Sequence, residues 1–174
     1  MSNKTKTAVL LISAISTGGV LFTTGYEGWS AKPYPDTGKV VTQGFGSTIK
    51  PDGSAIKMTD EPITKKQGIE YLKAHYVRDA KTFNKTLSGV KLSQDEYDVY
   101  ADFSYQFGPN AWSSSAMLKN LKHGKYIQAC KSLEAWRFSR VGRKKVDCRL
   151  KGSGCAGVWN RQKARIEKCL VANS

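Results

Sequence analysis

At 174 residues the sequence is one domain's worth of chain, in one lobe or two, and long enough to bury a real core. Apolar and charged fractions of 40% and 24% are those of an ordinary globular protein and exclude compositional disorder. The charge is not ordinary: 28 Lys and Arg against 14 Asp and Glu leave a formal net charge of +14. It is also uneven, since fifteen basic residues between Lys119 and Lys168 face only Glu134, Asp147 and Glu167. Such a half-molecule is drawn to polyanions: nucleic acid, anionic lipid head groups, or a bacterial wall with acidic peptides. No nucleic-acid motif accompanies the charge, so nucleic acid is set aside as a partner.

The chain opens with Lys4 and Lys6 ahead of an uncharged run from Thr7 to Tyr26. A run of about 20 residues can span a bilayer as a helix, and the positive flank predicts a cytoplasmic amino terminus. Its hydrophobicity is marginal: Val9, Leu10, Leu11, Ile12, Ile15, Val20, Leu21 and Phe22 alternate with about as many Ser, Thr and Gly. A cleaved secretory signal is one reading, but no Ala-x-Ala-like site closes the run. Cleavage near Gly25 would also remove the helical turns leading into Glu27. An uncleaved anchor and a soluble amino-terminal helix are the other readings.

Next comes Tyr26-Glu27-Gly28-Trp29-Ser30-Ala31-Lys32-Pro33-Tyr34-Pro35-Asp36-Thr37-Gly38-Lys39-Val40-Val41-Thr42-Gln43-Gly44-Phe45-Gly46. Trp29 to Tyr34 and Val40 to Phe45 read as short strands around a Pro-Asp-Thr-Gly turn. Glu27 then sits at the end of a helix-capable segment, Asp36 in the turn, and Thr42 on the returning strand. Two carboxyls in different settings suit glycosidic hydrolysis, one protonated for the leaving oxygen and one ionised for water or sugar. Taken singly, Glu27 is a surface carboxylate and Asp36 a turn residue; the joint spacing with Thr42 and Gly44-x-Gly46 favours chemistry.

Further along, Thr64-x-x-Gln67 and Ser93-x-x-Glu96 are capping boxes. The first starts a helix to about Leu87, and the second a helix ending near Gly108-Pro109. Ser113 to Ser115 cap a short helix that ends before Gly124. Tyr126 to Trp136 and Val158 to Val171 are the last two helices, with Arg140 to Gly157 a basic, Gly-containing loop between them. Trp112, Trp136 and Trp159 read as core rather than sugar platforms, and His75 and His123 as solvated helix residues. The fold class is α+β, mostly helical, with a small β-hairpin lobe.

Cys130, Cys148, Cys155 and Cys169 form no Cys-x2-Cys and lie far from histidines at finger-like spacing, so no metal is expected. Disulfides fit better and imply an oxidising compartment such as the periplasm. Of the three connectivities, Cys148–Cys155 across a short Gly-rich loop and Cys130–Cys169 between two helices are preferred; four buried thiols are the alternative.

The Glu-x8-Asp-x5-Thr spacing followed by Gly-Phe-Gly resembles the catalytic segment of the phage-type lysozymes, the endolysins of glycoside hydrolase family 24. The likeness runs on through Leu92 to Tyr97, Phe103 to Gly108, Ala129 to Trp136 and Asn160 to Ala164. It implies a lysozyme-like fold, with a hairpin lobe at about 26–62, a linking helix at about 64–87 and a helical lobe at about 88–174, the lobes flanking a cleft. It implies hydrolysis of the β-1,4 bond between N-acetylmuramic acid and N-acetylglucosamine in peptidoglycan, lysing the host cell, by a monomer without a cofactor. By position, Glu27 matches the general acid, Asp36 the carboxylate that orients or deprotonates water, and Thr42 a residue holding that water. Gln106 matches a cleft-lining, substrate-contacting position, and Arg161 one whose guanidinium approaches the catalytic Glu. Where many relatives carry His, this chain has Ser47, and Asn160 and Ala164 thin the cluster of arginines near Arg161.

Residues 1–25 resemble the signal-anchor-release segment of some endolysins, which implies a periplasmic enzyme first tethered to the inner membrane. Two rivals stand beside this reading. In one, Asp36 acts as a nucleophile; in the other, the chain is a cationic wall-binding or membrane-disrupting protein whose acidic pair is incidental.

Overall fold

The computed structural model describes residues 14–36 and 38–174, which divide into two units, Ala14–Phe83 and Asn84–Ser174. Residues 1–13, which carry half of the expected anchor, lie outside the described residues. No helix among the described residues is long and apolar enough to cross a membrane.

In the first unit, α1 spans Thr17–Tyr26, and the Ser16 hydroxyl caps it by accepting from the Gly19 amide at 3.0 Å. Residues 14–25 thus share a unit with the hairpin. Gly19, Val20 and Thr23 form the buried face of α1, and the Thr23 hydroxyl meets the Tyr76 hydroxyl at 2.6 Å. Tyr76 stands on α2, Lys65–Thr86, which opens on the expected capping box: Thr64 N donates to Gln67 Oε1 and Gln67 N to Thr64 Oγ1. Its buried residues Leu72, Tyr76 and Phe83 fall at helical spacing and make one core-facing stripe.

Strands β1 (Ser30–Pro35) and β2 (Val41–Gly44) pair antiparallel, with Tyr34 opposite Thr42 and Pro35 opposite Val41. The buried Gln43 amide donates to the Ala31 and Glu61 carbonyls, both at 2.8 Å, and pins the long connection before α2 to the hairpin. Trp29 and Phe45 pack at 4.8 Å between ring centroids. A Cβ on Gly68 would stand 2.4 Å from the Trp29 ring, so only glycine lets α2 pass this close to the hairpin.

The second unit is built around α3, Gln94–Phe107. Ser93 and Glu96 form the full reciprocal capping box, and Gly108 at φ 89° ends the helix where no branched residue would sit easily. Pro109 then opens a one-turn helix absent from the sequence reading, α4 (Pro109–Ser113). Ser115 caps α5 (Ala116–Lys122) through the Leu118 amide, and α6 (Tyr126–Ser132) runs into a 3-10 turn, Leu133–Trp136. Trp112 is buried against Tyr100 and Phe103, with its indole N–H on the Thr86 hydroxyl at 2.8 Å. Trp136 meets Phe103 edge-on at 4.8 Å. The last helix, α7 (Ala156–Val171), is tied to α6 by Cys130–Cys169, Cα–Cα 5.5 Å, while Cys148–Cys155 closes the loop before it.

The stretch read as a basic loop, 140–157, instead contains most of a second hairpin. Strands β3 (Phe138–Val141) and β4 (Lys144–Asp147) pair in regular register across a Gly142-Arg143 turn, with Gly142 at φ 61°. Its strands carry Arg and Lys where alternating apolar residues would have announced them.

Candidate active site

The first unit holds Glu27, Asp36 and Thr42, and each is positioned by its own local structure. Glu27 is the residue at which α1 ends: its φ of −90° and ψ of 145° turn the chain out of the helix. Its amide still donates to the Thr23 carbonyl at 3.1 Å. Because the Thr23 hydroxyl is bonded to Tyr76, this backbone position is tied to α2 through one intervening residue. The Glu27 side chain is half-buried.

Asp36 leaves β1 and organises the turn that follows. Its Oδ1 accepts from the Gly38 and Val40 amides, both at 2.8 Å, and its own amide donates to the Val40 carbonyl at 2.9 Å. Lys39 takes a left-handed backbone, φ 63°, inside this turn. The carboxylate is exposed, and its Oδ2 has no hydrogen-bond partner among the described residues. One oxygen therefore carries both turn contacts of the side chain. Thr42 is 3% exposed, and its hydroxyl donates to the Val40 carbonyl at 3.1 Å. That bond uses the hydroxyl proton and leaves the oxygen's lone pairs as acceptors.

Gln106 and Arg161 belong to the second unit and are linked there. Arg161 on α7 is buried and grips Asp102 of α3 in a two-point contact, Nε to Oδ2 at 3.1 Å and Nη2 to Oδ1 at 2.6 Å. Arg165, one turn on and fully buried, donates to the same carboxylate at 2.7 Å and to the Asp102 carbonyl at 3.0 Å. Its Nη1 also donates to Gln106 Oε1 and Gln162 Oε1, both at 2.7 Å. Gln106 is half-buried, with its amide oxygen oriented by Arg165. The sequence reading missed Asp102, Arg165 and Gln162. Their signal was present: Arg161 and Arg165, like Asp102 and Gln106, are four apart and share a helix face.

His75 and His123 are each engaged by their own helix: His75 Nε2 lies 3.0 Å from Asp79, and His123 Nδ1 lies 2.7 Å from the Lys119 carbonyl. The hydrogen bond from His75 lowers the Asp79 carboxyl pKa. Among the described residues no group of three or more His, Cys, Asp or Glu could hold a metal ion.

Glu27 ends a helix and Asp36 organises a turn within a mostly helical fold that carries two small antiparallel sheets. The family model described as phage lysozyme matches residues 24–165, and the chain belongs to that family. It is 30% identical over 125 residues to the endolysin of Salmonella phage P22, covering 71% of this chain and 83% of that protein. Among solved structures, the endolysin from Escherichia coli O157:H7 phage FAHEc1 shares the fold at a TM-score of 0.69 and 24% identity, covering 90% of this chain and 92% of that one. The muramidase domain of SpmX from Asticaccaulis excentricus does so at 0.75 and 18%, covering 90% and 97%.

Proposed function

We propose that this protein is an endolysin that cuts the β-1,4 bond between N-acetylmuramic acid and N-acetylglucosamine in peptidoglycan and thereby lyses its host. Glu27 gives its proton to the glycosidic oxygen as the bond to the anomeric carbon breaks. A water held by Asp36 Oδ2 and the Thr42 oxygen attacks that carbon from the opposite face. Asp36 takes the water's proton, and the two products leave with a free hydroxyl on each side of the cut. The anomeric configuration inverts.

One observation carries the reading. Asp36 and Thr42 are both anchored on Val40, in the same unit as Glu27 and inside the stretch the phage lysozyme model matches. Glu27 is half-buried and Asp36 exposed.

The amino-terminal run is the tether in this reading, holding a monomeric enzyme at the inner membrane on the periplasmic side. A membrane span drawn from residues 7–26 would withhold Thr17–Tyr26 from the domain. Release would let those residues form α1, make the Thr23–Tyr76 bond and set Glu27 at the helix end. Membrane fractionation with intact-mass measurement tests this part, and a periplasmic product lacking about the first 25 residues would overturn it. The chemistry is tested on purified peptidoglycan: digestion should create new reducing ends at N-acetylmuramic acid, with the α-anomer appearing first by NMR. A β-anomer first would assign Asp36 as nucleophile instead.

A further inference from the structure

The second hairpin is used by none of the chemistry above, yet it carries the most concentrated charge on the molecule. Residues 137–151 hold seven Arg and Lys against one acid, Asp147. Asp147 is consumed locally by Arg149 at 2.8 Å and Arg137 at 3.2 Å, and these guanidiniums, Arg149 first, hold its carboxyl far below the usual range. Arg140, Arg143, Lys144, Lys145 and Lys151 have no acidic partner among the described residues, and all are exposed.

Their arrangement works against stability. Arg140 and Lys145 are directly opposed in the ladder, where like charges sit roughly 5 Å apart at Cβ and repel. The hairpin is nonetheless held in shape: Cys148 N donates to the Arg137 carbonyl at 2.9 Å, and Cys148–Cys155 fixes its base. A rigid platform that keeps repelling cations together is preorganised for an anion. Beside the cations stand two exposed apolar side chains, Val141 at 41% and Leu150 at 62%.

We propose that this hairpin and its disulfide-closed loop dock onto the phosphate head groups of an anionic lipid bilayer. Cations flanking exposed aliphatic residues fit a head-group layer with hydrocarbon beneath it. Nucleic acid fits less well, because the one aromatic ring here, Phe138, is covered by Arg137 at 4.6 Å and Lys145 at 4.8 Å and offers no stacking platform. A polysaccharide wall offers Leu150 nothing apolar.

The test uses the full chain and sedimentation with vesicles of phosphatidylcholine, alone or mixed with phosphatidylglycerol. One variant carries Arg140→Gln, Arg143→Gln, Lys144→Gln and Lys145→Gln. A control carries Lys65→Gln, Lys66→Gln, Lys81→Gln and Lys85→Gln, four exposed residues on α2 whose loss changes the net charge equally. Read as the excess of binding to anionic over phosphatidylcholine-only vesicles, which discounts insertion of residues 7–26, the hairpin variant should lose about tenfold or more and the control far less. Leu150→Ser should make the remaining binding easier to remove with salt on vesicles but not on duplex DNA. Equal losses in hairpin variant and control would overturn the proposal, as would unchanged vesicle binding of a hairpin variant whose melting curve shows it folded. Hairpin-dependent binding to DNA with none to vesicles would overturn it too.

Discussion

Asp36 and Thr42 are both hydrogen-bonded to one residue, Val40. Val40 gives its amide to Asp36 Oδ1, and its carbonyl accepts both the Asp36 amide and the Thr42 hydroxyl. A shift at Val40 would therefore move both side chains together, and both structural contacts of the aspartate carboxylate fall on Oδ1, leaving Oδ2 for the chemistry proposed for it.

That division makes the two duties separable. Asp36→Asn keeps an acceptor for the two amides and should fold normally while losing about a hundredfold or more of hydrolysis. Asp36→Ala removes the acceptor as well and should cost roughly 1 kcal/mol of stability besides. Thr42→Val keeps the shape and should cost about 1 kcal/mol, with a smaller loss of rate than either. Turbidity of a peptidoglycan suspension and urea midpoints read the two effects.

The buried Asp102 compensates two guanidiniums at once, Arg161 and Arg165. Asp102→Ala strands both charges away from water and should destabilise the protein by about 3–5 kcal/mol, measured by urea unfolding. It should also leave Gln106 poorly oriented, because Arg165 holds its amide oxygen.

How much of this was legible depended on whether the signal was local. The Ser93–Glu96 capping box and the Gly108-Pro109 stop are written in adjacent residues, and α3 begins and ends on them. Cys130 and Cys169 were paired from the helices they stand on, and the disulfide joins those helices. The β3–β4 hairpin was not legible, because its two four-residue strands hold only Phe138, Val141 and Val146 as apolar residues beside Arg140, Lys144, Lys145 and Asp147, and its one turn signal is Gly142. Asp102 was missed for another reason. An aspartate in a helix reads as surface, and only the packing of α3 against α7 reveals that two arginines arrive to pair with it. For the proposed site, the residue types and spacing of Glu27, Asp36 and Thr42 could be read, but the tie of Glu27 to Thr23 and of Asp36 and Thr42 to Val40 could not. Backbone hydrogen bonds leave no mark on residue identity.

Cys130–Cys169 closes a segment with a sequence separation of 39. Replacing both with Ala should lower stability by about 3–4 kcal/mol by the chain-entropy estimate, and Cys148→Ala with Cys155→Ala, at a separation of 7, by roughly 2 kcal/mol. Urea unfolding of the two double variants, side by side, checks the order.

Asp147 gives a pH dependence of definite sign. Arg149 and then Arg137 lower its folded pKa, so the stability it contributes is complete above the unfolded value and is lost as pH falls below it. The difference in melting temperature between wild type and Asp147→Asn should hold steady from about pH 7 to pH 5 and shrink below about pH 4. A difference that grows on acidification would reverse the assignment.

The most direct test of the account is Glu27→Gln on purified peptidoglycan. The backbone bond from residue 27 to Thr23 does not involve the side chain, so α1 should end as before, and a melting curve checks that the variant is folded. With no proton to give, the variant should lose at least about a hundredfold in rate while still binding the wall. A folded Glu27→Gln protein that hydrolyses peptidoglycan at close to the wild-type rate would contradict the account.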